Sequence, residues 1–309
     1  MFHSITQTYG PSKMPCLGDP LDHGVNGLGN QLMAAMSTAL VAHLFDKCIV
    51  IQSPLLRAAF HLPTKVLTVF PAPFTVLRLP GESITRLSSA LSSRIEHYET
   101  RWWWIKDHFK DEIKERFNVT HVEQAMHAMG AWLFSTPRAS ISKSTIFLMR
   151  RYRIGAALHL RTFSDAKCPL GNVPYGDCGQ CVPHRSVSCI NQVRLKNAVV
   201  FGDSPSLIEK VTRSTFKNES TYFGRDTSKM VASSRIHDTN AMLDPMVVWN
   251  TLRLARVRVV SSTSTFSKSV VLVSGIRRRD MMVDLRCEKD HRSDGDLFTC
   301  RRVVWQDLV

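Results

Sequence analysis

The chain has 309 residues, of which 44% are hydrophobic and 21% charged, a composition typical of a folded globular protein and not of a disordered one. It contains no run of 18 apolar residues free of charge, so the sequence does not predict a membrane-spanning helix. The 40 Lys and Arg side chains exceed the 26 Asp and Glu side chains, which gives a net charge of +14.

The charge is unevenly distributed along the chain. Residues 1–145 hold 14 of the basic and 11 of the acidic side chains, so residues 146–309 hold the other 26 and 15 and carry +11. The length favours two domains, and we expect them to be residues 1–145 and 146–309. The basic second half predicts an anionic partner: nucleic acid, a phosphorylated small molecule or an anionic membrane surface; alternatively, the charge serves solubility alone.

The first half is predicted to be α/β. The first 20 residues have the composition of a loop or tail, and residues 30–46 have the Leu, Met and Ala content of a buried helix. A short buried strand is predicted at Lys47–Ser53, and the Lys and Glu spacing in Arg101–Phe117 predicts a further helix. Ser140–Ser144 is the expected interdomain linker. Prolines divide the stretch after the first strand into loops and short strands: Pro54, Pro63, Pro71, Pro73 and Pro80.

The second half alternates strands and helices. A helix is predicted over Asp244–Val257, with Asp244 as its N-cap and Pro245 at its first position. A further helix is expected to start in the segment Ser267–Gly275. This alternation predicts a parallel, doubly wound sheet. The predicted strands are Ile154–Leu160, Asn197–Asp203, Ser220–Gly224, the start of Arg258–Phe266, and Asp280–Arg286.

Polar clusters follow three of these strands. They are His159–Arg161, Gly202–Ser204 and Ser261–Phe266. In a doubly wound sheet the ligand binds at the carboxyl ends of the strands, where these clusters would meet. Arg presents a planar fork of donors that suits phosphate oxygens, and a helix N-terminus with Ser and Thr donors also binds phosphate. The clusters therefore predict a nucleotide-phosphate site; the alternatives are a strand-end salt bridge and ordinary turns.

Four segments, in this order along the chain, resemble motifs of the GDP-fucose-dependent fucosyltransferases. The resemblance is greatest to the plant xyloglucan type, with α1,2, α1,6 and protein O-fucosyl relatives. It implies two Rossmann-like domains facing a cleft, the GT-B type of glycosyltransferase, with GDP bound mainly by the C-terminal domain. The segments are "GLGNQL" (Gly27–Leu32), "ALHLRTFSD" (Ala157–Asp165), "VVFGDSP" (Val199–Pro205) and the region Asp244–Gly275.

The resemblance also implies roles for individual residues. Arg161 would bind the β-phosphate and stabilise the charge that develops on the leaving GDP. The general base is left open between Asp165, His237 and Asp238. Gly27 and Gly29 would let the backbone approach the diphosphate, although glycine torsions at the helix entrance are an alternative reason for them. The remaining donor-binding residues implied are Asn30 for a phosphate or the sugar, His159 for guanosine, Asp203 and Ser204 for the nucleotide, and Ser264, Thr265 and Phe266 for the phosphate turn.

The expected reaction is inverting transfer of fucose from GDP-fucose, a substrate, to a hydroxyl of a glycan or glycoprotein. The resemblance implies no cofactor and no essential metal. Two N-glycosylation sequons, at Asn118 and Asn218, and an even number of cysteines, 8, favour the Golgi or ER lumen. Because the start lacks a basic segment followed by an apolar one, we expect membrane attachment only through an anchor that this sequence does not contain. Nucleic acid is not expected as a partner.

Other interpretations remain open. A transferase of the same fold could use another nucleotide sugar, or the chain could be an inactive member of the family. A basic protein that binds nucleic acid or another polyanion is a third possibility, because Cys178, Cys181, His184 and Cys189 have a spacing suited to zinc. Disulfides in the same loop are the other interpretation of these cysteines, and the sequence does not determine their pairing.

Overall fold

The computed structural model describes residues 15–19, 27–71, 76–78, 84–92, 96–100, 105–160, 197–202, 222–223, 243–262, 264–283 and 301–308. The chain divides into two compact units. The first comprises Met1–His23 and Asn30–Thr136, and the second comprises Gly24–Gly29 and Pro137–Val309. No helix in the described residues is both long enough and apolar enough to cross a membrane.

The first unit is built on a parallel sheet. Its strands have the order β3-β2-β1-β5-β4 within the described residues, and every pairing is parallel. The strands are β1 Cys16–Gly18, β2 Cys48–Val50, β3 Val66–Leu67, β4 Val76–Arg78 and β5 His97–Glu99.

The first unit contains a mostly apolar helix, α1 (Leu28–Leu44), whose residues from Asn30 onward belong to this unit. Nearly every side chain of α1 is buried, as its Leu, Met and Ala content predicts. Its two central polar residues are satisfied, since Thr38 bonds the Thr100 hydroxyl at 3.1 Å and Ser37 accepts the backbone N–H of Lys106 at 3.1 Å. The other helices are α2 Pro54–Ala59, α3 Ile84–Ser92, a 3-10 turn Ile105–Phe109, α4 Lys110–Phe117 and α5 Val122–Phe134.

The start of the chain departs from its prediction as loop or tail. Cys16–Gly18 is the central strand of the first sheet, and a disulfide joins Cys16 to Cys48, its register partner on β2. A strand of three residues is too short to show an alternating pattern, so periodicity does not predict it.

The second unit contains a second doubly wound sheet. Its strands, within the described residues, have the order β11-β10-β9-β6-β7-β8; the β10–β11 pair is antiparallel and the others are parallel. The strands are β6 Ala156–Leu160, β7 Ala198–Gly202, β8 Tyr222–Phe223, β9 Val257–Ser261, β10 Met281–Val283 and β11 Arg301–Arg302. Among the described residues of this unit, the helices are α6 Ala139–Arg151, α7 Leu243–Leu254 and α8 Thr265–Ser274, with a short 3-10 turn at Trp305–Asp307.

Two local predictions, one at the expected interdomain linker and one in the second half, are wrong. The expected linker Ser140–Ser144 lies within α6, because Ile141 and Thr145 form a buried stripe and Asn250 of α7 donates to the Thr145 hydroxyl at 3.0 Å. Helix α7 begins at Leu243, so Asp244 lies within its first turn and not before it. The first error arises because packing on α7, which a single sequence does not reveal, makes this segment part of a helix. The second is a difference of one residue in where the helix begins.

A buried ion pair joins neighbouring strands of the second sheet at the end opposite the strands' carboxyl ends. Arg258 of β9 and Asp280, just before β10, are fully buried, and the Arg258 Nε donates to the Asp280 Oδ1 at 2.7 Å. The Arg258 guanidinium also donates to the Gly275 carbonyl oxygen at 2.7 Å and to the Ser274 hydroxyl. This network fixes the end of α8 relative to β9 and β10.

Candidate functional site

The order of strands in the second unit defines where a ligand binds. The chain runs from β6 outward to β7 and β8 on one side, and then returns to β9 and β10 on the other. The switch point therefore lies between β6 and β9, and a doubly wound sheet binds its ligand in the crevice outside the carboxyl ends there. Leu160, the last residue of β6, is in register with Gly202, the last residue of β7. The strand ends that were predicted to meet do lie side by side.

A tight turn connects β9 to α8 at this edge. The Ser264 N–H donates to the Ser261 carbonyl oxygen at 3.2 Å and closes the turn. The Ser264 hydroxyl caps α8 by accepting the Ser267 N–H at 3.4 Å. The first turn of α8 thus begins directly beyond the carboxyl end of β9, and a helix N-terminus in this position attracts an anion through its N–H groups and its dipole.

Two aromatic side chains from different elements meet at the switch point. The His159 ring, at the penultimate position of β6, lies 4.9 Å from the Phe266 ring between centroids, at an interplanar angle of 39°. His159 is only 5% exposed, while Phe266 is half-buried in the first turn of α8. Phe266 provides the accessible part of this pair beside the helix N-terminus, and an aromatic ring is a surface on which a planar group can pack.

The first turn of α8 is held in place from α7. The Trp249 Nε1 donates to the Ser269 hydroxyl at 3.0 Å, and that hydroxyl donates to the Phe266 carbonyl oxygen at 2.7 Å. Ser267 is fully buried, with its hydroxyl 3.4 Å from the Ser264 carbonyl oxygen. No sequence pattern indicates a role for Trp249, Ser267 or Ser269; the available signal of a cap is Ser264 itself, a serine just before an apolar run.

Gly29 lies against the same turn, and both belong to the second unit. A Cβ atom at Gly29 would lie 2.2 Å from the backbone nitrogen of Phe266 and 2.6 Å from the backbone carbon of Thr265. Gly29 is not among the described residues with a positive φ, so special torsions are not the reason for a glycine at this position. Gly29 instead permits two backbones to touch: the start of α1 and the start of α8.

The described structure covers part of the predicted site. It brings together Gly29, His159, Ser264, Thr265 and Phe266 in the second unit. It places Gly27 directly before α1, and Asn30 in the first turn of α1, where the first unit begins. The other predicted residues lie outside the described residues: Arg161, Asp165, Asp203, Ser204, His237 and Asp238.

The zinc alternative also falls outside the described residues, because Cys178, Cys181, His184 and Cys189 all do. Within the described ranges, no three His, Cys, Asp or Glu side chains are grouped as metal ligands would be.

No protein-family model matches the sequence, and no curated protein is similar enough in sequence to count as a relative. Several solved structures are similar to this chain in fold. A mutant of FUT1 from Arabidopsis thaliana in complex with GDP has a TM-score of 0.60 and 16% identity, over 94% of this chain and 73% of that one. NodZ α-1,6-fucosyltransferase soaked with GDP-fucose has a TM-score of 0.54 and 13% identity, over 93% and 99%. POFUT1 in complex with GDP has a TM-score of 0.50 and 12% identity, over 90% and 99%.

The two sheets and the switch-point edge define an α/β protein with two Rossmann-like units. Its fold is the GT-B fold of the fucosyltransferases just described, as the sequence analysis predicted.

Proposed function

We propose that this chain is a glycosyltransferase that moves fucose from GDP-fucose to a hydroxyl of a glycan or glycoprotein. The likeness to solved fucosyltransferases that were crystallised with GDP or GDP-fucose supports the proposal. The observation that carries it is within the chain: the capped N-terminus of α8 meets Gly29 and the His159–Phe266 pair at the switch point of the second sheet. This arrangement suits a diphosphate with a planar base attached.

The proposed site divides the donor into two parts. The diphosphate would accept hydrogen bonds from the N–H groups at the start of α8, whose position Ser264 and Ser269 stabilise. The guanine or ribose would lie on the His159 side, and Asp203 and Ser204, next along the chain after β7, would bind the nucleotide. The close contact of Gly29 with Phe266 brings the backbone at the start of α1 to the edge where the phosphates would bind.

The proposed chemistry breaks the bond between the anomeric carbon of fucose and the β-phosphate oxygen. The electron pair leaves with GDP, and Arg161, which follows β6 directly in the sequence, would stabilise the added negative charge. The acceptor oxygen would form its new bond on the opposite face of the sugar, with inversion, and release its proton to a base. Asp165, His237 and Asp238 are the candidates for that base. Because Arg161 would neutralise the leaving group, the proposal requires no essential metal.

The first test is a calorimetric titration with GDP, ADP and UDP in metal-free buffer. We expect GDP to bind in the micromolar range and the other two to bind much more weakly. Arg161→Ala should weaken GDP binding roughly 100-fold, the effect of losing a charge-assisted contact. Arg256→Ala is the matched control, since Arg256 is an exposed arginine just before the amino end of β9. Failure of the folded protein to bind GDP would overturn the proposal. Tighter binding of UDP or ADP than of GDP would indicate that the donor is another nucleotide sugar.

We also propose that the chain works in the Golgi or ER lumen. The disulfide between Cys16 and Cys48 supports this, since disulfides persist in oxidising compartments. Asn118, the acceptor of one sequon, is exposed on a left-handed turn after α4, where an oligosaccharide can be attached. Secreted expression followed by peptide N-glycosidase should therefore shift the mass of the protein, and Asn118→Gln should remove one glycan. An unglycosylated Asn118 on protein that has passed through the lumen would count against this location.

A further inference from the structure

Helix α6 carries a cleft on its outer side that the proposed donor site does not use. The cleft has a volume of about 520 Å³ and is lined by Lys143, Ile146, Phe147, Arg150 and Arg151. These residues recur at the three- and four-residue spacing of one helical face, and α6 contains no acidic residue. The opposite face, with Ile141 and Thr145, packs on α7, so α6 is held in place without this cleft.

The cleft combines exposed apolar and basic side chains. Phe147 is 62% exposed and Ile146 is 43% exposed, although both are large hydrophobic residues. The Arg151 guanidinium carbon lies 5.9 Å from the centre of the Phe147 ring and 5.7 Å from that of Tyr152, which keeps the cation beside the aromatic surface. In the described part of the chain, neither Lys143 nor the two arginines form an ion pair with a carboxylate.

We propose that this cleft binds an acidic glycan, a sugar chain that carries carboxylate groups. The inference rests on the proposed function, since a glycan-modifying enzyme meets sugar chains as acceptors. An exposed aromatic ring can pack against the apolar C–H face of a sugar ring. The guanidinium groups of Arg150 and Arg151 and the ammonium group of Lys143 match carboxylates in charge, and arginine also matches them in geometry.

The dimensions of the cleft favour a chain ligand over a single small anion. Lys143 and Arg151 are eight residues apart on α6, which places their positions about 12 Å apart along the helix axis. The exposed ring of Phe147 lies between these two cationic ends in the sequence. A ligand that satisfies all of these groups needs negative charges separated by an apolar surface, as in a carboxylated oligosaccharide.

The same features fit other polyanions less well. A helix that lies on a membrane inserts a broad apolar face into the bilayer and keeps its cations on the other face. In α6 the cations and the two exposed apolar residues share one cleft, and the remaining apolar stripe is packed on α7. Nucleic acid also combines stacking with positive charge, and the proposed function favours the glycan over it.

Fluorescence polarisation with labelled oligogalacturonate tests the proposal on the full chain. We expect it to bind, and a neutral malto-oligosaccharide of the same length to bind at least tenfold more weakly. The double variant Arg150→Gln/Arg151→Gln should weaken oligogalacturonate binding about tenfold and lower its dependence on salt. Its matched control is Arg278→Gln/Arg279→Gln, which removes the same charge from exposed arginines of the same unit. Phe147→Ala should also weaken binding, and Phe147→Tyr should restore it.

Several outcomes would overturn the proposal. One is equal weakening by the two arginine double variants, since it would mean that binding depends on net charge and not on the cleft. Others are preferential binding to phosphatidylserine vesicles, preferential binding to a single-stranded DNA oligonucleotide, and no binding of oligogalacturonate. A GDP titration of the same preparation separates these results from failure of the proposed function: normal GDP binding leaves the donor site intact, and absent GDP binding removes the basis for expecting a glycan.

Discussion

Replacing Gly29 with alanine tests the contact on which the proposed donor site depends. The added Cβ would lie 2.2 Å from the Phe266 nitrogen, 2.5 Å from the Phe266 Cα and 2.6 Å from the Thr265 carbonyl carbon. Ordinary van der Waals contact begins near 3.4 Å, so the shortest of these distances is too short by more than 1 Å. All three atoms are backbone, so no side chain can rotate away to make room.

The clash can be relieved only by moving the start of α1 away from the start of α8. Overpacking of a close-packed site costs about 1–3 kcal/mol, and more where the neighbouring atoms cannot move. We therefore expect Gly29→Ala to lose about 2–3 kcal/mol of folding free energy or to separate the two helix starts. Either response would displace the N–H groups of Thr265 and Phe266 from the proposed phosphate position, and we expect GDP affinity to fall about 100-fold.

Calorimetry with GDP and thermal unfolding of the same preparations measure both effects. Gly275→Ala is the matched control because Gly275 lies at the other end of α8 with a φ of 77°, a value that disfavours alanine. This variant should lose about 1–2 kcal/mol of stability and keep its GDP affinity. Wild-type GDP affinity in a folded Gly29→Ala protein would refute the reasoning. An equal loss of affinity in both variants would assign the effect to general destabilisation.

Three other changes test the two units. Cys48→Ser should lower the free energy of unfolding by about 4 kcal/mol, since the disulfide to Cys16 closes a loop of 32 residues; denaturant melts of the variant and the wild type without reductant measure the difference. Asp280→Asn should cost about 3–5 kcal/mol in thermal unfolding, because it leaves the buried Arg258 without its carboxylate, whereas Arg258→Met/Asp280→Leu should recover most of the loss. Burial lowers the pKa of Lys47 from 10.5 to about 8, against an opposing effect of Glu96. Between pH 8 and pH 10.5 Lys47 therefore binds more protons in the unfolded chain than in the folded one, so the stability of the wild type should rise with pH over this range. Lys47→Met should stabilise the protein fully below pH 8, and this stabilisation should disappear by pH 10.5, as unfolding melts at several pH values will measure.

The elements that the sequence predicts best are those in which the buried residues form one continuous apolar run. Helix α1 was predicted because its Leu, Met and Ala residues extend over more than three turns, and β6, β7 and β9 because each is a compact apolar run. Strand β11 consists of Arg301 and Arg302, both exposed, at the edge of the second sheet. Its place depends on pairing with β10 and not on any hydrophobic pattern, so no local signal predicts it.

Part of the candidate site was likewise predictable from the sequence, and part was not. Its location was predictable, because parallel strands place their carboxyl ends at one edge and polar residues follow three of those ends. The close approach of Gly29 to Phe266 was not, because these residues are far apart in sequence and the contact requires the folded unit. The glycine pattern indicated a special position but left open whether space or torsion was the reason. The absence of a positive φ at Gly29 favours space.

The serines of the hydroxyl-rich segment after β9 stabilise the turn itself. The sequence predicts that N–H and hydroxyl groups of this turn bind phosphate, and the structure shows how its serines hold the backbone in place. Ser264 caps α8, Ser267 is fully buried beneath the turn, and Ser269 joins Trp249 to the Phe266 carbonyl oxygen. Thr265 and Phe266, the first two residues of α8, stay partly exposed. An anion at this edge would therefore meet rigidly held backbone N–H groups, and a rigid site loses less entropy when it binds a diphosphate.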